Sequence, residues 1–300
     1  MRKFEPNQIS EQLLPVTAAG SMGMIGGPGG SELTDESSAY RQRRDEIAGR
    51  AANYVVGEPI PVVEYTDAEH ALWRLVSERL TERHRDLAAP EFLEAAERLG
   101  VAEDGVPQLQ DVSDRLHGLT GFRLRPASGV VPFDLFCGSL ADSYFHSTQY
   151  LRDGATPFYS TEPDILHEVI GHGSAMAADR FAELYRLAGE AVRRVESETA
   201  VQFVAKTFWF TIECGLLDAA DGPRAYGASI VSSYGELEHF RSAEIRPLDI
   251  ADMAHVDYDI TQYQTTLYSA RSLAHLEDVA GEFWASCDDT SIEKLLVVDI

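Results

Sequence analysis

The stretch PDILHEVIGHG, Pro163 to Gly173, sets a glutamate beside one histidine and places a second histidine five residues after the first. Paired imidazoles next to a carboxylate form a metal-ligand pattern. A zinc-protease helix writes it as H-E-x-x-H, with the histidines four apart on one face. Here His167 and His172 are five apart, and Gly171 comes just before the second. Five residues of regular α-helix turn roughly 500°, which leaves two such side chains about 140° apart. Both can face one ion only if the backbone makes a wider turn or the regular helix ends near Gly171. Wide turns inside helices are often found at functional sites. Two unrelated histidines, one packed and one exposed, are the alternative that this stretch leaves open.

A second stretch, TFWFTIECGLL from Thr207 to Leu217, is nearly apolar all round, which predicts a buried helix with Glu213 as its one charge. A buried carboxylate is costly unless an arginine or a metal compensates it. Two imidazoles and one carboxylate then make a three-point site. A zinc hydrolase uses such a set, with Glu168 available as its base, and so does a non-haem Fe(II) oxygenase, whose triad leaves positions open for dioxygen and substrate. The residues alone do not choose between the metals.

The elements that must hold these residues are mostly helical. The capping box TDAE, Thr66 to Glu69, starts a helix whose Leu72, Trp73, Val76 and Leu80 share a face. Pro90 suits the first turn of a second helix, with Phe92, Leu93, Ala96 and Leu99 inward and Gly100 as its stop. A third carries Leu109, Val112, Leu116 and Leu119, and Phe181, Leu184, Tyr185, Ala188, Val192 and Val195 keep helical spacing further on. Tyr40 to Arg50 reads as a surface helix. Short β pieces are expected at Phe122–Leu124 and at Leu295–Ile300. There is no repeat and no strand–helix alternation, so the expected fold is mainly α with small β elements rather than a doubly wound sheet.

The glycine-rich segment Ala18 to Ser38 has no G-K-[ST], and Pro28 interrupts its glycines, so it reads as irregular rather than as a phosphate cradle. Residues 1–58 are therefore expected to be an irregular or flexible extension and residues 59–300 the catalytic domain. A formal net charge of −24 over 300 residues argues against nucleic acid and anionic membrane as partners. No apolar run is long enough to span a bilayer, and the N-terminal residues show no signal-peptide pattern. Three well-separated cysteines, Cys137, Cys214 and Cys287, fit reduced thiols in the cytoplasm.

Four blocks in order carry a resemblance to a known family: HSTQYLRDG (His146 to Gly154), EPDILHEVIGH (Glu162 to His172), FWFTIECGLL (Phe208 to Leu217) and AYGASIVSSYGELEHF (Ala225 to Phe240). The chain resembles the pterin-dependent aromatic amino acid hydroxylases, phenylalanine hydroxylases most of all, from about Pro59 nearly to its end. The resemblance implies the single catalytic domain of that family, Fe(II) and a tetrahydropterin such as tetrahydrobiopterin as cofactors, and dioxygen and an aromatic amino acid as substrates. It implies His167, His172 and Glu213 as iron ligands. It implies Arg152 as a clamp on the substrate carboxylate, with Ser232 assisting there and steadying a ligand histidine, Trp209 walling the aromatic pocket and Glu236 supporting the substrate side. For the pterin it implies Glu168 and Phe208, Phe136 stacking on the ring, and backbone contacts near Gly129 and Val131; plain core packing is the other reading of Phe136. In the implied reaction, one oxygen atom passes to the pterin and the other to the substrate ring.

Trp209 and the apolar Ile260 sit where the resemblance implies a one-ring substrate without a hydroxyl, so L-phenylalanine is expected and a tyrosine isomer is its product. Some positions depart from the family pattern. Gly173 and Ser174 stand where a valine and a proline are usual, Ser160 where a threonine is, and the pterin loop VVPFDLFCGS matches loosely. Cys214 replaces the aromatic residue that usually follows the ligand glutamate, which puts the ring position attacked in doubt. No C-terminal heptad helix for tetramer assembly is visible. A zinc-dependent hydrolase using the same His/His/Glu set is the rival reading.

Overall fold

The computed structural model describes residues 38–160, 162–260 and 262–297. The glycine-rich segment therefore lies outside the described residues except for Ser38. α1 (Ser38–Ala52) covers the expected surface helix and buries only Ile47 and Ala51. Two arginines tie it down: Arg43 Nε donates to Glu69 at 3.0 Å and Arg44 Nη1 donates to Glu162 at 2.8 Å. The second contact reaches the loop that leads into the His167 segment.

α2 (Asp67–Leu87) begins at the expected capping box. The Glu69 N–H donates to Thr66 Oγ1, and the Thr66 N–H donates to the Glu69 carboxylate at 2.7 Å. α3 (Pro90–Leu99) starts at its proline and stops at Gly100, whose φ of 59° is the left-handed conformation that favours glycine. α4 (Leu109–Thr120) leads into β1 (Arg123–Pro126), α5 (Phe133–Leu140) and β2 (Tyr144–Ser147). β1 and β2 pair in parallel, Arg125 opposite His146.

The chain then enters a π-helix, His167–Gly173, continued by α6 (Ser174–Met176), α7 (Asp179–Arg194) and α8 (Glu198–Phe208). α8 passes directly into a second π-helix, Trp209–Glu213, where the Cys214 N–H donates to the Trp209 carbonyl five residues back. The apolar stretch expected to be one buried helix thus ends at Glu213. Gly215 sits in the turn after it, where an added Cβ would lie 2.2 Å from the Thr211 carbonyl oxygen, and the last residues form β3 (Leu216–Leu217). β4 (Arg224–Ala225), α9 (Ala228–Val231), α10 (Tyr234–His239), β5 (Glu244–Pro247), α11 (Ile250–Met253) and β6 (Thr266–Ala270) follow. A four-stranded sheet forms in the order β4-β3-β6-β5, with only β3–β4 antiparallel.

α12 (Leu273–Leu276), a π turn at Glu277–Gly281, α13 (Glu282–Ser286) and α14 (Asp289–Leu296) close the chain. The strand expected at Leu295–Ile300 is not there: Leu295 and Leu296 end α14, and residues 298–300 lie outside the described residues. Asp288 starts that helix by exchanging hydrogen bonds with Ser291, and the helix buries Ile292, so a strong cap outweighs the apolar tail. The main core joins α2 to α8 around Trp73, Phe92, Phe122, Phe181, Phe208, Phe210 and Trp284, all fully buried. No helix among the described residues is long and apolar enough to cross a membrane. The fold is mainly α with small sheets, as expected, and α9 packs against both the His167–Gly173 and the Trp209–Glu213 π-helices.

Candidate active site

The five-residue spacing is resolved by the first π-helix. Its i→i+5 hydrogen bonding brings residues five apart onto one side. The His167 and His172 rings lie 4.7 Å apart between centroids, at 84° to each other. The helix widens there rather than ending at Gly171. An added Cβ on Gly171 would come within 2.8 Å of the Ala228 carbonyl oxygen, so glycine lets α9 lie against this segment.

Glu213 ends the second π-helix and turns its carboxylate toward the same point. Its Oε1 is 3.2 Å from His172 Nε2, and its Oε2 is 3.9 Å from His167 Nε2. One ligand atom from each of the three residues falls within 4.8 Å of the others. Among the described residues this is the one such group of three histidine, cysteine, aspartate or glutamate side chains.

The remaining ring nitrogens are spoken for. His167 Nδ1 lies 2.8 Å from Ser232 Oγ, and the Ser232 hydroxyl donates to the Ala228 carbonyl at 2.7 Å. That hydroxyl proton being committed, Ser232 accepts from His167, which puts the imidazole proton on Nδ1 and the lone pair on Nε2. His172 Nδ1 lies 2.7 Å from the Tyr185 hydroxyl, a second hydrogen-bond partner of the kind that orients a metal-bound histidine. Burial first, and the charge of His172 second, bring the His167 imidazole down to about 3, so it is neutral at ordinary pH. Burial alone would raise the Glu213 carboxyl. Attraction to His172, the hydrogen bond with it, the charge of His167 and the Ser229 hydroxyl bring it down to about 2 instead. Two imidazoles and a carboxylate, brought together by the two π-helices, are the donor set a divalent metal needs.

Asp164 links this centre to Arg152. It accepts from Arg152 Nε and Nη2, both at 2.9 Å, from the Arg152 N–H at 2.9 Å, and from the His167 N–H at 3.1 Å. Both members of the ion pair are buried. Burial pushes the Asp164 carboxyl up, but Arg152 outweighs it and holds the group below the usual carboxylate range. Arg152 Nη1 is left without an acceptor among the described residues.

A cavity opens beside the three ligands. Gly129, Val131, Phe136, Glu168, Phe208 and Trp209 line it, together with His167, His172 and Glu213. Arg152, Ser232 and Glu236 stand outside that lining. Phe136 meets Phe208 edge-on at 6.1 Å and Phe145 at 5.1 Å, so it both faces the cavity and packs on the core. Burial pushes the Glu168 carboxyl well above its ordinary range, against the Thr148 N–H that steadies its charge, and Glu213 adds to the rise. Glu168 therefore binds its proton more tightly than an exposed glutamate does. Three aromatic walls, Phe133, Phe136 and Phe208, with that acid between them suit a flat heterocycle bearing donors and acceptors. Trp209 stacks on Tyr258 at 5.8 Å, and Ile260 packs half-buried on the core. Burial, then Glu236 and Glu213, push the Cys214 thiol well above its ordinary value, so it stays protonated; Cys214 lies outside the cavity lining.

Several contributors were not anticipated from sequence. Phe133, His146, Thr148 and Ser229 also line the cavity. Tyr185 keeps the helical spacing of a core position. His146 and Thr148 carried a usable signal, being polar residues in an otherwise buried strand and its extension.

Comparison with known proteins agrees with this geometry. The profile of the biopterin-dependent aromatic amino acid hydroxylases matches residues 28–290. The phenylalanine 3-hydroxylase of Streptomyces coeruleorubidus is 54% identical over 266 residues, covering 89% of this chain and 95% of that one. The phenylalanine-4-hydroxylase of Rattus norvegicus is 38% identical over 253 residues, covering 82% of this chain and 56% of that one, so this chain spans little more than half the length of the mammalian enzyme. Among solved structures, the phenylalanine hydroxylase of Chromobacterium violaceum, with bound iron(III) and 7,8-dihydrobiopterin, superposes with a TM-score of 0.73 at 27% identity, covering 81% of this chain and 89% of that one. The zinc-dependent hydrolase reading finds no support. These relatives are hydroxylases.

Proposed function

We propose, because the chain belongs to the biopterin-dependent aromatic amino acid hydroxylases, that it hydroxylates L-phenylalanine at the meta ring carbon, using Fe(II), dioxygen and a tetrahydropterin. The observation that carries this reading is the cluster of His167 Nε2, His172 Nε2 and a Glu213 oxygen, within 4.8 Å of one another, beside an aromatic-walled cavity. His167, His172 and Glu213 would hold the iron. Phe136, Phe208, Glu168 and the backbone at Gly129 and Val131 would hold the pterin.

Iron and tetrahydropterin, when bound, supply dioxygen activation and the reducing equivalents. The rest is done by this chain's own residues. Ser232 and Tyr185 hold the ligand rings so that both Nε2 lone pairs converge. Glu168, whose carboxyl burial raises, would face the pterin in the cavity. Arg152 is fixed by Asp164 on two nitrogens, which leaves Nη1 to take the substrate carboxylate, and Ser232 stands near the same element. Trp209 and Ile260 give the substrate ring an apolar wall that offers a tyrosine hydroxyl no partner. Buried aromatic walls exclude water, so positioning and desolvation are the protein's contribution.

The meta position is supported by the 54% identical relative, a phenylalanine 3-hydroxylase, and by Cys214, buried next to Glu213, which stands where the family pattern has an aromatic residue. Three free, buried cysteines suit a reducing compartment, the cytoplasm. The test is turnover of equal amounts of phenylalanine, tyrosine and tryptophan with Fe(II), oxygen and a tetrahydropterin, with products separated against meta- and para-tyrosine standards. We expect meta-tyrosine to dominate. Dominant para-tyrosine would overturn the ring position, and dominant 5-hydroxytryptophan or dihydroxyphenylalanine would overturn the substrate. Apolar pocket contacts discriminate by only about 1–3 kcal/mol, so minor products count for neither side.

A further inference from the structure

Ser229 lies in α9, buried, on the wall of the cavity. Its hydroxyl donates to Glu213 Oε2 at 2.8 Å. Oε2 is also the carboxylate oxygen farther from its imidazole neighbour: it is 3.9 Å from His167 Nε2, while Oε1 is 3.2 Å from His172 Nε2. The two oxygens of Glu213 are therefore not equivalent. Oε1 faces the ligand nitrogens and is free of other donors among the described residues, and Oε2 has a donor of its own.

α9 has little freedom to move away. It packs against both π-helices. An added Cβ on Gly227, at its start, would lie 2.4 Å from the Glu213 carbonyl oxygen, and one on Gly171 would lie 2.8 Å from the Ala228 carbonyl oxygen. These close backbone contacts fix Ser229 relative to Glu213. They fix Ser232 too, the residue just after α9, which holds His167.

We propose that Ser229 is a positioning residue that makes Glu213 bind the metal through Oε1 alone. A carboxylate can bind a cation through one oxygen or through both. A hydrogen bond to Oε2 stabilises charge on that oxygen and takes up one of its lone-pair directions, which disfavours chelation through both oxygens. One-oxygen binding leaves one more coordination position open than two-oxygen binding, and open positions are what a triad of this kind provides for its other reactants. The assignment rests on the His167/His172/Glu213 metal site proposed above.

The test reads the coordination itself rather than turnover. Apo protein is titrated with Co(II), and the infrared difference spectrum of the loaded minus the metal-free protein is recorded. Glu213 is the one carboxylate in the proposed ligand set, so the separation of its antisymmetric and symmetric stretches reports one- or two-oxygen binding. Wild-type protein and Ser229→Thr, which keeps the hydroxyl, are expected to show the wide separation of one-oxygen binding. Ser229→Ala is expected to bind Co(II) with a narrowed separation. Circular dichroism and melting of the three proteins check that α9 is intact. If Ser229→Ala gives the wild-type separation, Ser229 does not set the binding mode and the inference fails. If Ser229→Ala does not fold, Ser229→Gly and Ser229→Thr decide the same question, with the narrowed separation expected in glycine only. If wild-type protein binds no Co(II), the metal site itself is wrong, which is a different failure.

Discussion

Glu236 offers the sharpest test of the electrostatics near the site. It lies in the first turn of α10, nine-tenths buried, with no side-chain hydrogen bond among the described residues. Burial raises its carboxyl from 4.5 to about 8. A carboxyl whose pKa is higher in the folded state binds its proton more tightly there. Between about 4.5 and about 8 the native protein then holds more protons than the unfolded chain, so unfolding free energy falls as pH rises through that window and levels off above it. At about 1.4 kcal/mol per unit the whole shift corresponds to a ceiling of about 5 kcal/mol, and protein interiors respond as a medium of effective dielectric about 20, so we expect about 2 kcal/mol or more. Glu236→Gln removes the titration. A buried amide brings its own cost of about 1–3 kcal/mol, but that cost is independent of pH and cancels between two pH values. Urea unfolding of metal-free wild-type and Glu236→Gln protein is compared at about pH 5 and about pH 8. The wild type should lose stability relative to the variant by about 2 kcal/mol or more across that interval. Parallel pH profiles, with a relative change below about 0.5 kcal/mol, would show that Glu236 is ionised and solvated in the native state, and the burial argument would be refuted.

Alanine at His167, His172 or Glu213 should leave a folded protein that no longer binds Fe(II), measured by chelator competition; wild-type iron content in Glu213→Ala would remove Glu213 from the ligand set. Tyr185→Phe should weaken Fe(II) affinity by about 10- to 100-fold, because His172 loses its second partner, and unchanged affinity would mean that packing alone orients the ring. Arg152→Lys keeps the charge but not the planar fork, so KM for the amino acid should rise with far less effect on kcat; an unchanged KM in Arg152→Ala would end the clamp assignment. Asp164→Ala leaves the Arg152 charge buried without its partner and should cost about 3–5 kcal/mol in urea unfolding; a cost under about 1 kcal/mol would show that water reaches Arg152 in the folded protein.

Signals carried by neighbouring residues were legible in the sequence. The TDAE box, Pro90 and Gly100 each act within one helical turn, and the structure has each where the spacing placed it. Glu213 stood out because one charge in an apolar stretch needs a reason. What periodicity could not supply was the π geometry. A spacing of five says only that a regular helix fails, and the choice between ending and widening was made elsewhere, by Ala228 packing against Gly171. The C-terminal stretch has a β-rich composition, but the Asp288–Ser291 cap starts a helix just before it, and the helix runs into that stretch. Tyr185 fits its helix as a core residue, and nothing local shows that its hydroxyl meets His172 thirteen residues earlier.

Ser229 and Ser232 show where the boundary between local and long-range information falls. Their spacing of three puts both hydroxyls on one side of a single helical turn, and that much can be read from AYGASIVSS. A reader of the sequence could infer that one short helix presents two hydroxyls in the same direction. Which groups they reach depends on α9 crossing between two π-helices that are separate in sequence, so that one hydroxyl meets the carboxylate of the second π-helix and the other the imidazole of the first. The glycines at 171 and 227 make that crossing possible by letting backbones touch. The ligand residues are therefore recognisable by type and spacing, while the groups that set their orientation become recognisable only once the helix crossing is known.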